Sequence, residues 1–102
     1  MKYQLVLQFS ASGAEDFDHL VALEELLIEK LSPEADVDGH DFGANEFNIF
    51  ILTDHPKESF SSSKTLIQQN PRYQIKAAAY RELNKDDFII LWPNGLREFK
   101  VI

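Results

Sequence analysis

The stretch Glu46-Phe47-Asn48-Ile49-Phe50-Ile51-Leu52-Thr53-Asp54 decides the fold that the sequence predicts. In an extended strand, Phe47, Ile49 and Ile51 share one face, whereas Phe50 and Leu52 share the other. Apolar residues on both faces are typical of a strand whose sheet is covered on both sides. We therefore predict that residues 46–54 form a central strand.

Two further elements are predicted on the amino-terminal side of this strand. Residues 3–9 alternate between apolar and polar side chains, the pattern of a strand with one buried face. Ser12 and Glu15 then have the spacing of a capping box, and an apolar stripe of helical period continues to Leu31. Pro33 ends this helix, because the residue before a proline is pushed out of the helical region.

On the carboxyl-terminal side the sequence predicts a helix and two more strands. The helix covers residues 56–69, with a proline in its first turn, where the missing amide hydrogen costs nothing. Strands are predicted at residues 73–83 and 88–92, and Phe99 and Val101 are expected to extend the sheet further. The three small residues Ala77, Ala78 and Ala79 predict the close approach of a helix to their strand.

The order of these elements predicts the fold class. Strand, helix, strand, strand, helix, strand, strand is the split βαβ or ferredoxin-like order with an added C-terminal hairpin. We predict an α+β protein with an antiparallel sheet and two helices on one of its faces. At 102 residues, the chain has the length of a single domain spanning residues 1–102.

Composition excludes several classes of function. The chain has no cysteine, which rules out disulfides, thiolate nucleophiles and cysteine metal sites. Its formal net charge of −7, from 10 Lys and Arg against 17 Asp and Glu, opposes binding to nucleic acid or to an anionic membrane. The first nine residues resemble neither a secretory signal nor a membrane span, so a cytoplasmic location is expected.

Residues 36–46 hold most of the candidate binding side chains. Their acids and glycines predict a short edge strand running into a loop, in which Gly39 and Gly43 adopt positive φ. Oxygen ligands of this kind suit hard cations, but the spacing of the glycine differs from that of an EF-hand, so no metal is predicted. The candidate binding residues are Asp38, His40, Asp41, Asn45, Glu46, Asn48 and, at the end of the last apolar strand, Trp92.

Other single residues have two interpretations each. Glu24 falls within the apolar arc of the first helix. It is interpreted either as a buried general acid or as a glutamate whose side chain reaches outward or pairs with a cation. The histidines at positions 19, 40 and 55 have no partner at a catalytic or metal-binding spacing. Trp92 is interpreted either as an anchor for a partner or as a core residue at the rim of the sheet.

The run Asp38-Gly39-His40-Asp41-Phe42-Gly43-Ala44-Asn45-Glu46-Phe47-Asn48-Ile49-Phe50-Ile51-Leu52-Thr53-Asp54 also carries a resemblance. It is similar to small stand-alone bacterial proteins of unknown function that share a G…G…E-x-N-I-F-I-x-T-D segment. The resemblance extends loosely to Ala79-Tyr80-Arg81 and Leu91-Trp92-Pro93. It implies a bacterial source and a ferredoxin-like fold, and it implies no activity.

Three functions fit these observations. We favour a non-catalytic binding or interaction module, because an antiparallel sheet with helices on one side leaves its other face free for a ligand, a protein partner or a second copy. One alternative is an immunity- or antitoxin-like inhibitor of a basic toxin, suggested by small size and acidity. The other is a metal-dependent hydrolase or lyase, in which Asp41 and Glu46 act as acid, base or ligands and Asn48 orients the substrate. No cofactor is predicted.

Overall fold

The structure, a computed structural model, describes residues 1–69 and 72–101. Over these residues it contains two helices and five strands, and neither helix is long and apolar enough to cross a membrane. In chain order the elements are β1 (Tyr3–Ser10), α1 (Gly13–Leu31), β2 (Ala35–Gly43), β3 (Glu46–Thr53), α2 (Pro56–Gln68), β4 (Ala77–Glu82) and β5 (Ile89–Trp92).

The five strands form one antiparallel sheet in the order β2-β3-β1-β4-β5. The α+β class and the antiparallel sheet are therefore confirmed. The predicted central strand, residues 46–54, is also confirmed, because β3 lies between β2 and β1. In the described sheet, β2 and β5 are the two outermost strands.

The core lies between one face of the sheet and the two helices. Strands β1 and β3 place fully buried side chains opposite one another, as in the pairs Leu5 with Ile51 and Leu7 with Ile49. Leu20 of α1 and Ile67 of α2 belong to the same cluster, and the two helices contact each other. Burying each such side chain stabilises the fold by about 1.5 to 3 kcal/mol. A slip of one residue in the pairing of the strands would turn these side chains to the other face of the sheet, so their burial fixes the register.

The start of α1 differs from the predicted capping box. The Ser12 side chain makes no capping hydrogen bond, and instead the Ser12 backbone N–H donates to Asp16 Oδ2 at 2.8 Å. Glu15, the expected partner, pairs with Arg72 at 2.6 Å. Gly13 has a φ of 81°, so the chain turns there and brings the carboxylate of Asp16 to the free amide.

The predicted edge strand is confirmed, because β2 is an outermost strand of the described sheet, but it is longer than expected and the loop after it is shorter. Only Ala44 and Asn45 connect β2 to β3, with φ values of 52° and 61°. Two consecutive residues with positive φ form the type I′ turn that joins tightly paired strands. Gly39 does have the predicted positive φ, at 135°, and lies at a β-bulge after Val37, whereas Gly43 does not.

The sequence predicted that the sheet face opposite the helices is free. Instead, the C-terminal segment partly covers this face. Val6 and Ala79 on this face have no exposed surface, and Gln8 Nε2 donates to the Lys100 carbonyl oxygen at 3.0 Å. The small residue Ala79 therefore faces this segment rather than a helix. The expected last strand at Phe99 and Val101 is also wrong, since the described chain beyond Trp92 contains no strand.

Candidate functional site

The acidic side chains of residues 36–46 do not converge, because β2 distributes them over two faces. His40 lies opposite Ile49 on the helix side, whereas Asp41 lies opposite Asn48 on the other side. Asp38 is at the bulge and is exposed. Across residues 1–69 and 72–101, no three His, Asp or Glu side chains are close enough to hold a metal ion.

The candidate residues at the β2–β3 turn have structural partners. Lys76 Nζ lies 2.5 Å from Glu46 Oε2, and the Asn45 carbonyl accepts a hydrogen bond from the Ala11 amide at 3.0 Å. Asn48 is only 2% exposed and accepts a hydrogen bond from Gln8 Nε2 at 3.1 Å. These contacts tie the turn to β1 and to the segment before β4, and they leave Asn48 no access to a substrate.

Glu24 and His40 form the most unusual pair in the described structure. His40 Nδ1 donates to Glu24 Oε1 at 2.8 Å, and their side chains are 30% and 9% exposed. The second carboxylate oxygen, Oε2, is buried and has no hydrogen-bond partner among the described residues. A buried charge without full compensation costs stability, so the position of Glu24 calls for an explanation other than packing.

Aromatic rings hold His40 in place beside Glu24. The imidazole is stacked on Phe47, with ring centroids 4.8 Å apart and planes 17° apart. Phe17 of α1 meets His40 edge-on at 5.5 Å and also contacts Phe42 at 5.3 Å. The hydrogen bond to Glu24 occupies Nδ1, so the imidazole is fixed both by stacking and by this bond.

These residues belong to a surface that we call the acidic flank. It consists of strand β2 and of the α1 side chains that helical spacing places beside it: Phe17, Val21, Glu24 and Ile28. Two apolar side chains on it are exposed, Phe42 at 38% and Ile28 at 49%. Strand β2 is the outer edge of the described sheet, so its outward backbone groups are available for pairing.

Acidic residues are concentrated in the first part of the sequence, which includes the acidic flank. Residues 3–56 contain twelve Asp and Glu and a single Lys or Arg, Lys30. The remaining 46 residues after Pro56 contain eight Lys and Arg and five Asp and Glu. The negative charge of the whole chain therefore comes from the part that forms β1, α1, β2 and β3.

No known protein family, curated protein or solved structure matches this chain.

A second polar cluster lies at the start of α1. The Tyr73 hydroxyl donates to Asp16 Oδ1 at 2.7 Å and lies 3.4 Å from Nδ1 of His19. Hydrogen bonds from the Ser12 amide and the Tyr73 hydroxyl lower the pKa of Asp16. Burial and the neighbouring Asp16 carboxylate raise the pKa of Tyr73. The cluster fixes the chain before β4 against α1.

Trp92, the last candidate, lies at the other edge of the sheet. It is half-buried at the end of β5, and the Lys64 ammonium is 3.6 Å from the centre of its ring. These contacts agree with a residue at the rim of the core, whereas the role of Trp92 as an anchor for a partner stays a prediction. Sequence reasoning identified Glu24 and His40 separately but missed their pairing, which depends on the bulge in β2.

Proposed function

We propose that this protein is a non-catalytic interaction module that binds a basic protein segment along its acidic flank. The observation that carries the proposal is the combination found on β2. Strand β2 is an outermost strand of nine residues and contains no Lys or Arg. It carries the exposed side chain of Phe42 and lies beside the exposed Ile28 of α1. An added strand would satisfy the free backbone groups of β2, and its side chains would give specificity.

Charge favours a basic partner over a second copy of the chain at this edge. Pairing β2 with β2 of another copy would bring Asp36, Asp38 and Asp41 close to their equivalents, and like charges opposite one another destabilise a strand pair. A bulge at Gly39 further discourages self-pairing. A basic segment meets no such repulsion and is attracted by the field of the flank.

One specific form of this proposal is an immunity- or antitoxin-like inhibitor that covers a basic partner protein. Four acids on the acidic flank support it, Glu24 of α1 and the three aspartates of β2, because an acidic surface steers a basic protein toward it. The metal-dependent hydrolase finds no support in this geometry. Asp41 and Glu46 lie apart, with Glu46 paired to Lys76, and Asn48 is buried.

Titration with a basic peptide tests the proposal. A peptide of alternating Lys and Val is added to the isotopically labelled protein, and an alternating Glu and Val peptide serves as the control ligand. We expect amide shifts confined to residues 35–43 and to the facing stripe of α1, with affinity falling as salt rises. Shifts that spread over the molecule, or that also occur with the acidic peptide, would contradict the proposal.

A matched pair of charge reversals separates local from overall charge. The variant Asp36→Lys, Asp38→Lys changes β2, and the variant Asp86→Lys, Asp87→Lys makes the same change in net charge at exposed residues before β5. We expect the first to weaken binding about tenfold or more and the second by less than about twofold. Equal weakening by both variants would show that net charge alone attracts the peptide.

We also propose that β1 to β4 and the two helices form a ferredoxin-like split βαβ unit to which β5 is added. The order β2-β3-β1-β4 supports this, because β3 lies between β1 and β2, which run in the same direction. Nuclear Overhauser contacts between the amides of Leu7 and Ile49, and between those of Val6 and Ala79, test the placement of β1 between β3 and β4. Their absence would reject it.

A further inference from the structure

A groove lies at the edge of the sheet opposite the acidic flank. It has a volume of about 290 Å³ and runs between α2 and the segment that leads into β4. Ile67, Tyr73, Ile75 and Trp92 form most of its walls, and three side chains with polar ends complete it: Lys64, Gln68 and Gln74. Apolar walls with a few polar groups are typical of small-molecule sites, and the volume is at the small end of their range.

Lys64 places a positive charge at the wall of this groove. Its ammonium lies 3.6 Å from the ring centre of Trp92 and 5.9 Å from that of Phe60. None of the ion pairs formed by the described residues includes Lys64, and no Asp or Glu lines the groove. In an otherwise acidic protein, an anion finds an attractive field here.

The walls of the groove are held in place by neighbouring contacts. The Tyr73 hydroxyl is bonded to Asp16 at 2.7 Å, so its ring is fixed as one wall. Ile67 is 2% exposed and belongs to the core, which fixes the floor. A site whose walls are already ordered loses little entropy when a ligand binds.

We propose that this groove binds a small aromatic carboxylate. The ring of the ligand packs against Tyr73 and the edge of Trp92, because the ammonium of Lys64 already covers one face of Trp92, and its carboxylate bonds to that ammonium. A single cation balances the single charge of a carboxylate, whereas a phosphate dianion needs more donors than one lysine supplies. The site uses no residue of the acidic flank, so it does not depend on the interaction proposed there.

Fluorescence of Trp92 tests this inference directly, because the chain contains a single tryptophan. The probe is phenylacetate, and phenylacetamide is the control ligand of the same shape without the charge. We expect phenylacetate to change the emission saturably with a dissociation constant on the order of 1 mM, and phenylacetamide to bind about tenfold more weakly. Saturable binding that is equal for both ligands would overturn the role of the carboxylate.

Two lysine variants assign the charge to its position. Lys64→Met is expected to bind phenylacetate about tenfold more weakly than the wild type and no better than phenylacetamide. Lys57→Met, which removes an exposed lysine from the same helix, is expected to leave the affinity unchanged. Amide shifts of Tyr73 and Ile75 locate the ligand independently of Trp92. No saturable change up to about 20 mM, or an unchanged affinity in Lys64→Met, would overturn the inference.

Discussion

Replacing His40 by phenylalanine is predicted to destabilise the protein by leaving Glu24 without a partner. In the wild type, Glu24 Oε1 accepts its hydrogen bond at 2.8 Å, while Oε2 has no partner among the described residues. The side chain of Glu24 is only 9% exposed. Removing one partner of a buried ion pair typically costs about 3 to 5 kcal/mol. Because His40 is 30% exposed, we expect the lower value for His40→Phe, about 3 kcal/mol.

Two further variants complete a double-mutant cycle. Glu24→Met leaves a partly exposed imidazole that still reaches water, so we expect a loss of about 1 kcal/mol. In the double variant Glu24→Met, His40→Phe, the two introduced side chains meet as apolar groups, and we expect a stability within about 1 kcal/mol of the wild type. The coupling energy between the two positions is then about 4 kcal/mol. A phenylalanine ring at position 40 retains the stacking on Phe47, so the loss reports the hydrogen bond to Glu24 and not the ring.

Urea unfolding followed by circular dichroism near neutral pH measures all four proteins. Equal m-values are required for the comparison, because they show that the denatured state has not changed. His55→Phe is the control, since His55 is exposed and makes no side-chain capping bond, and it should change stability by less than about 0.5 kcal/mol. A His40→Phe protein within about 0.5 kcal/mol of the wild type would refute the view that Glu24 depends on His40.

Three other substitutions test separate features. Asp16→Asn should lower stability near neutral pH and flatten the dependence of stability on acid pH. The pKa of Asp16 is lowered in the folded state, so its contribution is present above the ordinary value of 3.8 and is lost as pH falls through the folded value. Urea midpoints measured against pH check this. Ala44→Asn should raise the free energy of unfolding by about 0.5 to 1 kcal/mol, because asparagine tolerates the φ of 52° better, and an unchanged value would argue against the type I′ turn. Phe99→Ala should lower the free energy of unfolding by about 2 kcal/mol through loss of the contact with Phe88. It should also shift the resonance of the Gln8 side-chain amide, which bonds to the Lys100 carbonyl. An unmoved resonance would place the C-terminal segment elsewhere.

The elements with regular apolar periods could be predicted from the sequence. Helix α1 buries side chains one turn apart, and the helix-side faces of β1 and β3 bury every second residue, as predicted. The predicted single buried face of β1 is wrong, because Val6 and Gln8 on its other face are buried as well. A short edge strand was predicted at β2, but its length and phase could not be, because its outward side chains are polar and the bulge after Val37 breaks the alternation. Because of the bulge, Val37 and His40 share a face although they are three residues apart. In a regular strand, the period of two places residues at this spacing on opposite faces.

Long-range contacts account for the rest of what the sequence missed. The bond between Gln8 and the Lys100 carbonyl joins residues at opposite ends of the chain, and no local pattern predicts it. The capping of Ser12 by Asp16 rather than by Glu15 depends on Tyr73 and Arg72, which hold the two carboxylates. The partner of Glu24 likewise depends on the phase of β2 after its bulge. In each instance, tertiary contacts choose among side chains that the local sequence leaves equivalent.

The distribution of charge connects the two proposed sites. Solubility depends on net charge and not on where the acids lie, so dispersed acids would serve it equally well. Instead, residues between Leu31 and Pro56 include six acids and no Lys or Arg, which adds repulsion within the folded state. Glu24 adds a further buried carboxylate that an apolar pair would replace without loss of stability. Both costs are explained if the acidic flank meets a basic partner, and the same segregation leaves Lys64 at the far edge free of competing acids.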